Sequence, residues 1–264
     1  MPTATQLEPA IKYPGSKRRL IDRLQKYYSA YSDRPLVELF AGSAAVSLGL
    51  QPKSAVLIDI NPHVVNFHQQ LKAGLKPDPS VEWQNDEMAY YRNREWFRRL
   101  KDKRSPLTAN LFYYLNKTGY NGLCRFNQKG EYNVPFGRYK SINYCTDFTP
   151  WQQAYKNFEF VCGDFEDVGR EAIAPGDFIY CDPPYDGDFT AYAGNKFGWD
   201  EQVRLAHYLA ALPCPVLASN AATPRIIDLY ESLGFEVEYI SVSRSISCTG
   251  DRADAAEVLM FKGV

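Results

Sequence analysis

At 264 residues the chain has room for one α/β domain with a large insertion, or for two small domains around a cleft, and it is no fibre, peptide or repeat array. Apolar residues make up 45% and aromatics 14%, with 19 Tyr and 15 Phe, a supply of core that excludes general disorder. The net charge of −1 hides a strong segregation: residues 1–91 carry +1, residues 92–145 carry 12 Lys and Arg against 3 Asp and Glu, and residues 146–264 carry 8 against 19. A second basic run lies in Lys12, Lys17, Arg18, Arg19, Arg23 and Lys26, opposed only by Asp22. Solvated helix faces explain part of such clustering, but its strength also points to a polyanion partner.

In chain order, Gly15 and Ser16 form a turn ahead of a helical pattern in Leu20, Ile21, Leu24 and Tyr28, with Ser16 as expected N-cap and a basic opposite face. Residues 36–40 (LVELF) read as a buried strand running into a small-residue turn and helix, AGSAAVSLGL. AVLID at 55–59 is a second strand, and Asn61-Pro62 opens a helix to about Leu71, completing a β-α-β-α unit. Between Pro77 and Pro150 the alternation stops. Helices are expected at 93–104 and 105–118, followed by an aromatic, Gly-rich, basic stretch, GYNGLCRFNQKGEYNVPFGRYK. Alternation resumes with FEFVCGDF, DFIYCDPPY, a helix from Trp199 to Leu212, PVLASN, a helix from Thr223 to Leu233, and the strands FEVEYISVSRSIS and AEVLMFK. The fold expected is α/β: a Rossmann-like, mostly parallel sheet covered on both faces, ending in hairpin-like strands and carrying an inserted, mainly helical segment. Ligands then belong at the C-terminal ends of the strands.

The six cysteines, Cys124, Cys145, Cys162, Cys181, Cys214 and Cys248, offer no zinc-ligand spacing and are expected as reduced, buried thiols. His63 and His68 stand five apart, which does not share one helical face, so no metal is expected. No apolar run reaches the roughly 18 to 20 residues of a membrane span, and the N-terminus lacks a signal-peptide core, so a soluble cytoplasmic protein is expected.

Two motifs carry chemistry. In Glu38-Leu39-Phe40-Ala41-Gly42-Ser43-Ala44 a strand enters a small-residue loop, and Asp59 ends the next strand. Small residues admit a ligand to the backbone and the carboxylate can accept two ribose hydroxyls, which suits a dinucleotide or S-adenosylmethionine. An ordinary strand-to-helix turn has the same residues, while the lack of GxGxxG and of GK[ST] argues against nicotinamide cofactors and P-loop nucleotides. The second motif is Asp182-Pro183-Pro184-Tyr185, directly after the strand FIYC. Consecutive prolines remove two N–H donors and stiffen the chain, leaving a rigid acceptor site at the strand end. A nucleobase exocyclic amine is a poor nucleophile because its lone pair is conjugated with the ring. Hydrogen bonds from its protons to the Asp182 carboxylate and the Pro183 carbonyl favour pyramidal nitrogen and balance the charge that develops on attack. Tyr185 is placed to stack on the base.

At these residues the sequence resembles the α-class DNA N6-adenine methyltransferases, of the Dam type acting on 5′-GATC. The matching order runs through Lys12-Tyr13-Pro14-Gly15-Ser16-Lys17, Phe40-Ala41-Gly42-Ser43, Asp59-Ile60-Asn61, Gly119-Tyr120-Asn121-Gly122-Leu123-Cys124-Arg125, Asn133-Val134-Pro135-Phe136-Gly137-Arg138-Tyr139 and DPPY, and on to Phe189-Thr190-Ala191-Tyr192 and Arg244-Ser245-Ile246-Ser247. The resemblance implies that Tyr13, Lys17, Phe40, Gly42, Ser43 and Asp59 surround S-adenosylmethionine, with Asp164 and Phe165 beside its adenine and Asp182 adjoining. Asp182, Pro183 and Tyr185 would hold a flipped target adenine for direct in-line transfer. In the insertion Arg138 would read a guanine and Arg125 a phosphate; Tyr120 would enter the base stack, Asn121 would meet the backbone near the flipped base, and Leu123 and Pro135 would meet base edges. Lys12 would touch the first guanine, and Tyr139 belongs to the same DNA-binding set.

The implied organisation is a catalytic domain in two parts, residues 1–76 and 151–264, around a target-recognition domain at 77–150, acting on double-stranded DNA as a monomer. Tyr13 and Pro14 stand where many relatives carry Trp and Ala, and only Asp186, Gly187 and Asp188 separate Tyr185 from Phe189. Methylation of RNA or of another adenine context, and a DNA-binding module holding S-adenosylmethionine only structurally, are the alternatives; an intact DPPY argues against the last.

Overall fold

A computed structural model describes residues 7–187, 197–242 and 255–264. The stretches Phe189–Tyr192 and Arg244–Ser247, and Cys248, lie outside the described residues. Seven strands form one sheet: β1 (Leu36–Leu39), β2 (Ala55–Asp59), β3 (Phe158–Cys162), β4 (Phe178–Cys181), β5 (Val216–Ala221), β6 (Glu236–Val242) and β7 (Ala255–Lys262). Their order is β3-β2-β1-β4-β5-β7-β6; β1 to β5 run parallel, and β7 is antiparallel to both β5 and β6. The expected mostly parallel sheet with a terminal hairpin is what forms.

Helices α1 (Ile21–Tyr28), α2 (Ala45–Leu50), α3 (Pro62–Lys72), α4 (Glu87–Arg99), α5 (Pro106–Thr118), α6 (Thr149–Ala154), α7 (Phe165–Ala172), α8 (Trp199–Ala211) and α9 (Pro224–Ser232) complete the described elements. Alternation along the strands divides the core in two. Leu36, Leu57 and Phe178 face α1, α2, α3 and α5, whereas Val37, Ile58 and Ile179 face α7, α8 and α9. The inserted segment shares the first of these cores, contributing Tyr90, Phe97, Phe112, Tyr114 and Tyr132. Helix starts follow local chemistry: Asn61 accepts from His63 N at 3.0 Å ahead of Pro62, and Ser105 accepts from Thr108 N at 3.2 Å ahead of Pro106.

Several expectations need correction. Ser16 caps nothing: a 3₁₀ turn at Arg18–Leu20 precedes α1, which starts only at Ile21, beyond the reach of the Ser16 hydroxyl. The helix expected at 93–104 lies instead at Glu87–Arg99, where Asp86 caps Ala89 N at 2.9 Å; beyond it Asp102 accepts from Arg104 N at 2.8 Å and turns the chain. Helices α6 and α7 were not expected, since a six-residue helix carries little periodicity and α7 contains Gly169. Among the cysteines Cys124 and Cys181 are buried, but Cys162 is exposed and Cys145 and Cys214 are only half-buried, because they sit at strand ends and in loops.

Candidate active site and DNA interface

The sheet changes direction between β1 and β4, which pair through Leu39 and Cys181. At such a switch point the loops that follow the two strands part and leave a crevice. The loop after β1 is held in an uncommon shape, with Phe40, Gly42 and Ala44 all left-handed at φ 61°, 48° and 59°. Its anchors come from neighbouring strands. Gly42 N donates to Asp59 Oδ2 at 2.8 Å, Ala41 N to the Ile58 carbonyl at 2.9 Å, and His68 Nε2 to the Gly42 carbonyl at 2.8 Å. The other His68 nitrogen accepts from Tyr155 OH at 3.2 Å, so the ring is neutral and fully used. A Cβ on Gly42 would fall 2.8 Å from the Tyr13 ring, so the absence of a side chain lets Tyr13 lie against the loop.

Asp59 is buried and its carboxylate is raised above the ordinary range by desolvation. Asn61 N donates to its Oδ1 at 2.8 Å as Gly42 N does to Oδ2, which leaves each oxygen a further lone pair for a vicinal diol. Phe40, Phe165 and Phe197 form an aromatic group, with Phe40 centred 5.5 Å from Phe165 and 5.4 Å from Phe197. This donor set and these aromatic walls fit a nucleoside-bearing cofactor. Ser43 is buried in the same loop. Asp164 is committed differently from expectation: its oxygens take Arg204 Nη1 and Nη2 at 2.9 and 2.8 Å, it caps Glu166 N, and the Arg204 hydrogen bonds hold its pKa below the usual carboxylate value. Arg204 also lies 4.1 Å over the Phe165 ring.

Across the crevice, Asp182 follows β4. Lys17 Nζ pairs with its Oδ1 at 2.9 Å, and Ser219 Oγ donates to the same oxygen at 2.7 Å. Lys17 is itself buried, and its ammonium lies 4.5 Å over the Tyr185 ring, whose hydroxyl donates to Glu257 Oε2 at 2.9 Å. One ring face of Tyr185 is thereby covered by a cation. Pro183 and Pro184 carry the chain between these two side chains, with the Pro184 carbonyl accepting from Gln202 Nε2 at 2.8 Å.

The basic stretch of the insertion folds back on itself. Tyr120 N donates to the Pro135 carbonyl at 2.9 Å, Asn133 N to Arg125 O at 3.1 Å, and Gly137 N to Thr118 O at 2.8 Å, which brings Tyr120, Asn121, Leu123, Arg125, Pro135, Arg138 and Tyr139 onto one hairpin-like loop. Tyr120 is exposed, while Leu123 packs partly against the core. Asn121 and Arg138 are left-handed at φ 51° and 53°. Arg125 Nε donates to Asn133 Oδ1 at 2.9 Å, and Arg138 pairs with Glu87 at 3.2 Å.

Lys12 joins this loop to the crevice. Its backbone N–H and carbonyl are clamped by the buried Asn116 amide at 2.8 Å each, and its ammonium lies 4.1 Å over Tyr139, whose hydroxyl reaches the Gly119 carbonyl at 3.3 Å. A Cβ on Gly122 would stand 2.3 Å from Lys12 Cβ, so this glycine, at φ 61°, makes the approach possible. Asn61, two residues after Asp59, donates to Cys124 Sγ at 3.4 Å and ties the loop to the cofactor side. Of the early basic run, Arg18 and Arg23 are taken by Glu8 and Glu238. Sequence reasoning passed over Asn116, Ser219, Asn220 and Gln202. Their signal was a polar residue inside an apolar helix face or at the end of an apolar strand.

Fold and crevice together are those of an S-adenosylmethionine-dependent methyltransferase. The family model of the D12 class N6 adenine-specific DNA methyltransferases matches residues 13–246. The chain is 34% identical over 263 residues to the retron Ec67 DNA adenine methylase of Escherichia coli, covering 96% of this chain and 90% of that one. It is 34% identical to the DNA adenine methylase of Serratia marcescens, with 90% and 91% covered, and 32% identical to that of Escherichia coli strain K12, with 95% and 93% covered. The chain belongs to the D12 class of N6-adenine-specific DNA methyltransferases. It is an adenine-specific DNA methyltransferase, and S-adenosylmethionine is its methyl donor.

Proposed function

We propose that the enzyme methylates the adenine of double-stranded 5′-GATC, as a monomer in the cytoplasm, with residues 77–150 as its target-recognition domain. The observation that carries this reading is the shared crevice: the rigid acceptor pair of Asp182 and Pro183 stands beside the Asp59 and Gly42 loop, and Lys12 and Asn61 tie both to the basic hairpin.

Tyr13, Lys17, Phe40, Gly42, Ser43, Asp59 and Phe165 bind the cofactor, with Asp59 accepting the ribose hydroxyls and Asp164, held by Arg204, bordering the adenine pocket. S-adenosylmethionine supplies a methyl group on a sulfonium, already activated for displacement. The chain's task is the amine. A stacked adenine is out of reach, so it is turned out of the duplex at a cost of a few kcal/mol, offset by Tyr120 entering the stack and by Asn121 and Arg125 on the backbone. Arg138 exchanges Glu87 for the O6 and N7 of a guanine, Lys12 meets the first guanine, and Leu123 and Pro135 meet base edges, with Tyr139 supporting Lys12. Asp182 and the Pro183 carbonyl then accept hydrogen bonds from the two amine N–H groups, localising the nitrogen lone pair; the methyl would pass from sulfur to this nitrogen with S-adenosylhomocysteine as leaving group, and the Asp182 carboxylate would balance the positive charge until one amine proton is lost to solvent. The free face of Tyr185 stacks on the base.

Transfer of labelled methyl to two matched duplexes tests this, one with GATC and one with its first guanine replaced. Label confined to the GATC adenine is expected. Equal labelling of both removes the recognition assignments, and label on structured RNA alone removes the DNA specificity altogether.

A further inference from the structure

The catalytic assignments above leave open what fixes the Asp182 carboxylate, which sits on a loop past the end of β4. The described contacts point to β5. Ser219 and Asn220 are adjacent near its end and both are wholly buried, as are Tyr180 and Gln202. Ser219 Oγ spends its one proton on Asp182 Oδ1 at 2.7 Å, so the Tyr180 hydroxyl, 3.2 Å away, must be the donor to Ser219. Tyr180 keeps that proton, because burial raises its pKa well above the ordinary value. Next in the chain, Asn220 Oδ1 accepts from Asp186 N at 3.1 Å, and its Nδ2 donates to Gln202 Oε1 at 3.0 Å. That contact orients the Gln202 amide so that Nε2 donates to the Pro184 carbonyl at 2.8 Å. Asp186 is in turn held by Thr223 Oγ1 at 2.9 Å and by Arg225 Nε at 2.6 Å.

We propose that Ser219, backed by Tyr180, is a positioning residue for Asp182, and that with Asn220 and Gln202 it clamps both ends of the Asp182–Asp186 loop in the geometry that receives the target amine. The inference rests on the assignment of Asp182 as the amine acceptor. The clamp is made of neutral buried groups on β4, β5 and α8, so the loop is set before substrate arrives and needs no reorganisation during transfer. Lys17 shares Oδ1 with Ser219, so the two fix the carboxylate from different elements.

The test uses the full chain, saturating S-adenosylmethionine and a GATC duplex, with Asp182→Ala as reference. Ser219→Ala is expected to lower kcat about 10- to 100-fold, the worth of one hydrogen bond to a charged group, while KM for both substrates stays within about twofold. Tyr180→Phe, which keeps ring volume and the Ser219 hydroxyl, is expected to lower kcat about 3- to 10-fold with KM again unmoved. Ser219→Thr restores the hydroxyl and is expected to recover most of the loss. Wild-type kcat in Ser219→Ala, or losses that track melting temperature and KM instead of the hydroxyl, overturn the clamp while Asp182→Ala remains inactive. Undiminished transfer by Asp182→Ala overturns the acceptor assignment and the clamp together.

Discussion

Glu38 shows how a single buried side chain couples the cofactor loop to pH. Its carboxylate lies beneath α2, accepting from Ser47 N at 3.0 Å and from the Ser47 hydroxyl, and burial pushes its pKa up to about 7. The folded state therefore holds a proton that the unfolded chain releases above pH 4 to 5. Its stabilising effect is complete below that range and is lost as pH rises through 7, a change of about 3 kcal/mol. Glu38→Gln is expected to remove this dependence, so that its denaturant midpoint rises relative to that of the wild type as pH increases from 4.5 to 7 and the difference is constant above pH 8. Gly122 is the steric counterpart. Alanine there meets Lys12 at 2.3 Å with φ at +61°, so Gly122→Ala is expected to cost about 2 kcal/mol and to weaken duplex binding by displacing Lys12. Unchanged duplex affinity in a folded Gly122→Ala protein contradicts the placement of Lys12 on DNA.

At the scale of elements, the hairpin-like loop from Thr118 to Tyr139 depends on α5. That helix is apolar nearly all round because it lies inside the insertion's share of the core, and of its two buried amides, Asn110 and Asn116, the second clamps Lys12. Loop and N-terminal segment are thus tied to the same helix. Arg125 and Arg138, on the two arms of that loop, have different roles in the proposed reading. Arg125→Ala is expected to weaken binding to all duplexes alike and to reduce the slope of log affinity against log salt by about 1. Arg138→Ala is expected to cost about 1 to 3 kcal/mol on GATC alone and to relax discrimination at one base pair. Titrations of the two variants on GATC and mismatched duplexes at several salt concentrations distinguish these outcomes. The Arg138 pair with Glu87 is exposed and so adds little stability, which in the proposed reading lets a guanine displace it.

For the whole molecule, pH acts through opposed groups on the two sides of one core. His63 stacks on Phe126 at 5.1 Å in the insertion and His68 on Phe160 at 5.0 Å in the sheet, and burial lowers both pKa values to about 4. Neutral in the fold and cationic in the unfolded chain below pH 6.5, they stabilise fully above that value and progressively less as pH falls toward 4. Between pH 6.5 and 4.5 the pair loses about 4 kcal/mol, against a gain of about 2 kcal/mol from Glu38 over the same fall, so net stability is expected to drop. Melting curves across that range check the sign, and Glu38→Gln should make the drop steeper.

The sequence by itself determined the strands and the residue types at their ends. LVELF, AVLID and FIYC are short, nearly continuous apolar runs whose length and flanking turns fix their identity locally, and DPPY is stiff whatever surrounds it. Capped helices such as α3 and α5 were legible for the same reason, because Asn61-Pro62 and Ser105-Pro106 act within one turn. Only the tertiary structure decided which polar groups meet. Ser219 reaches Asp182 from β5, Asn116 reaches Lys12 across 104 residues of chain, and Arg204 takes Asp164 across 40. The start of α4, by contrast, is set locally: Asp86 caps Ala89 N seven residues before the expected onset at 93, a signal present in the sequence. Local rules set what each segment is; long-range pairing sets what its polar atoms do, since a buried donor must find an acceptor wherever the fold has brought one.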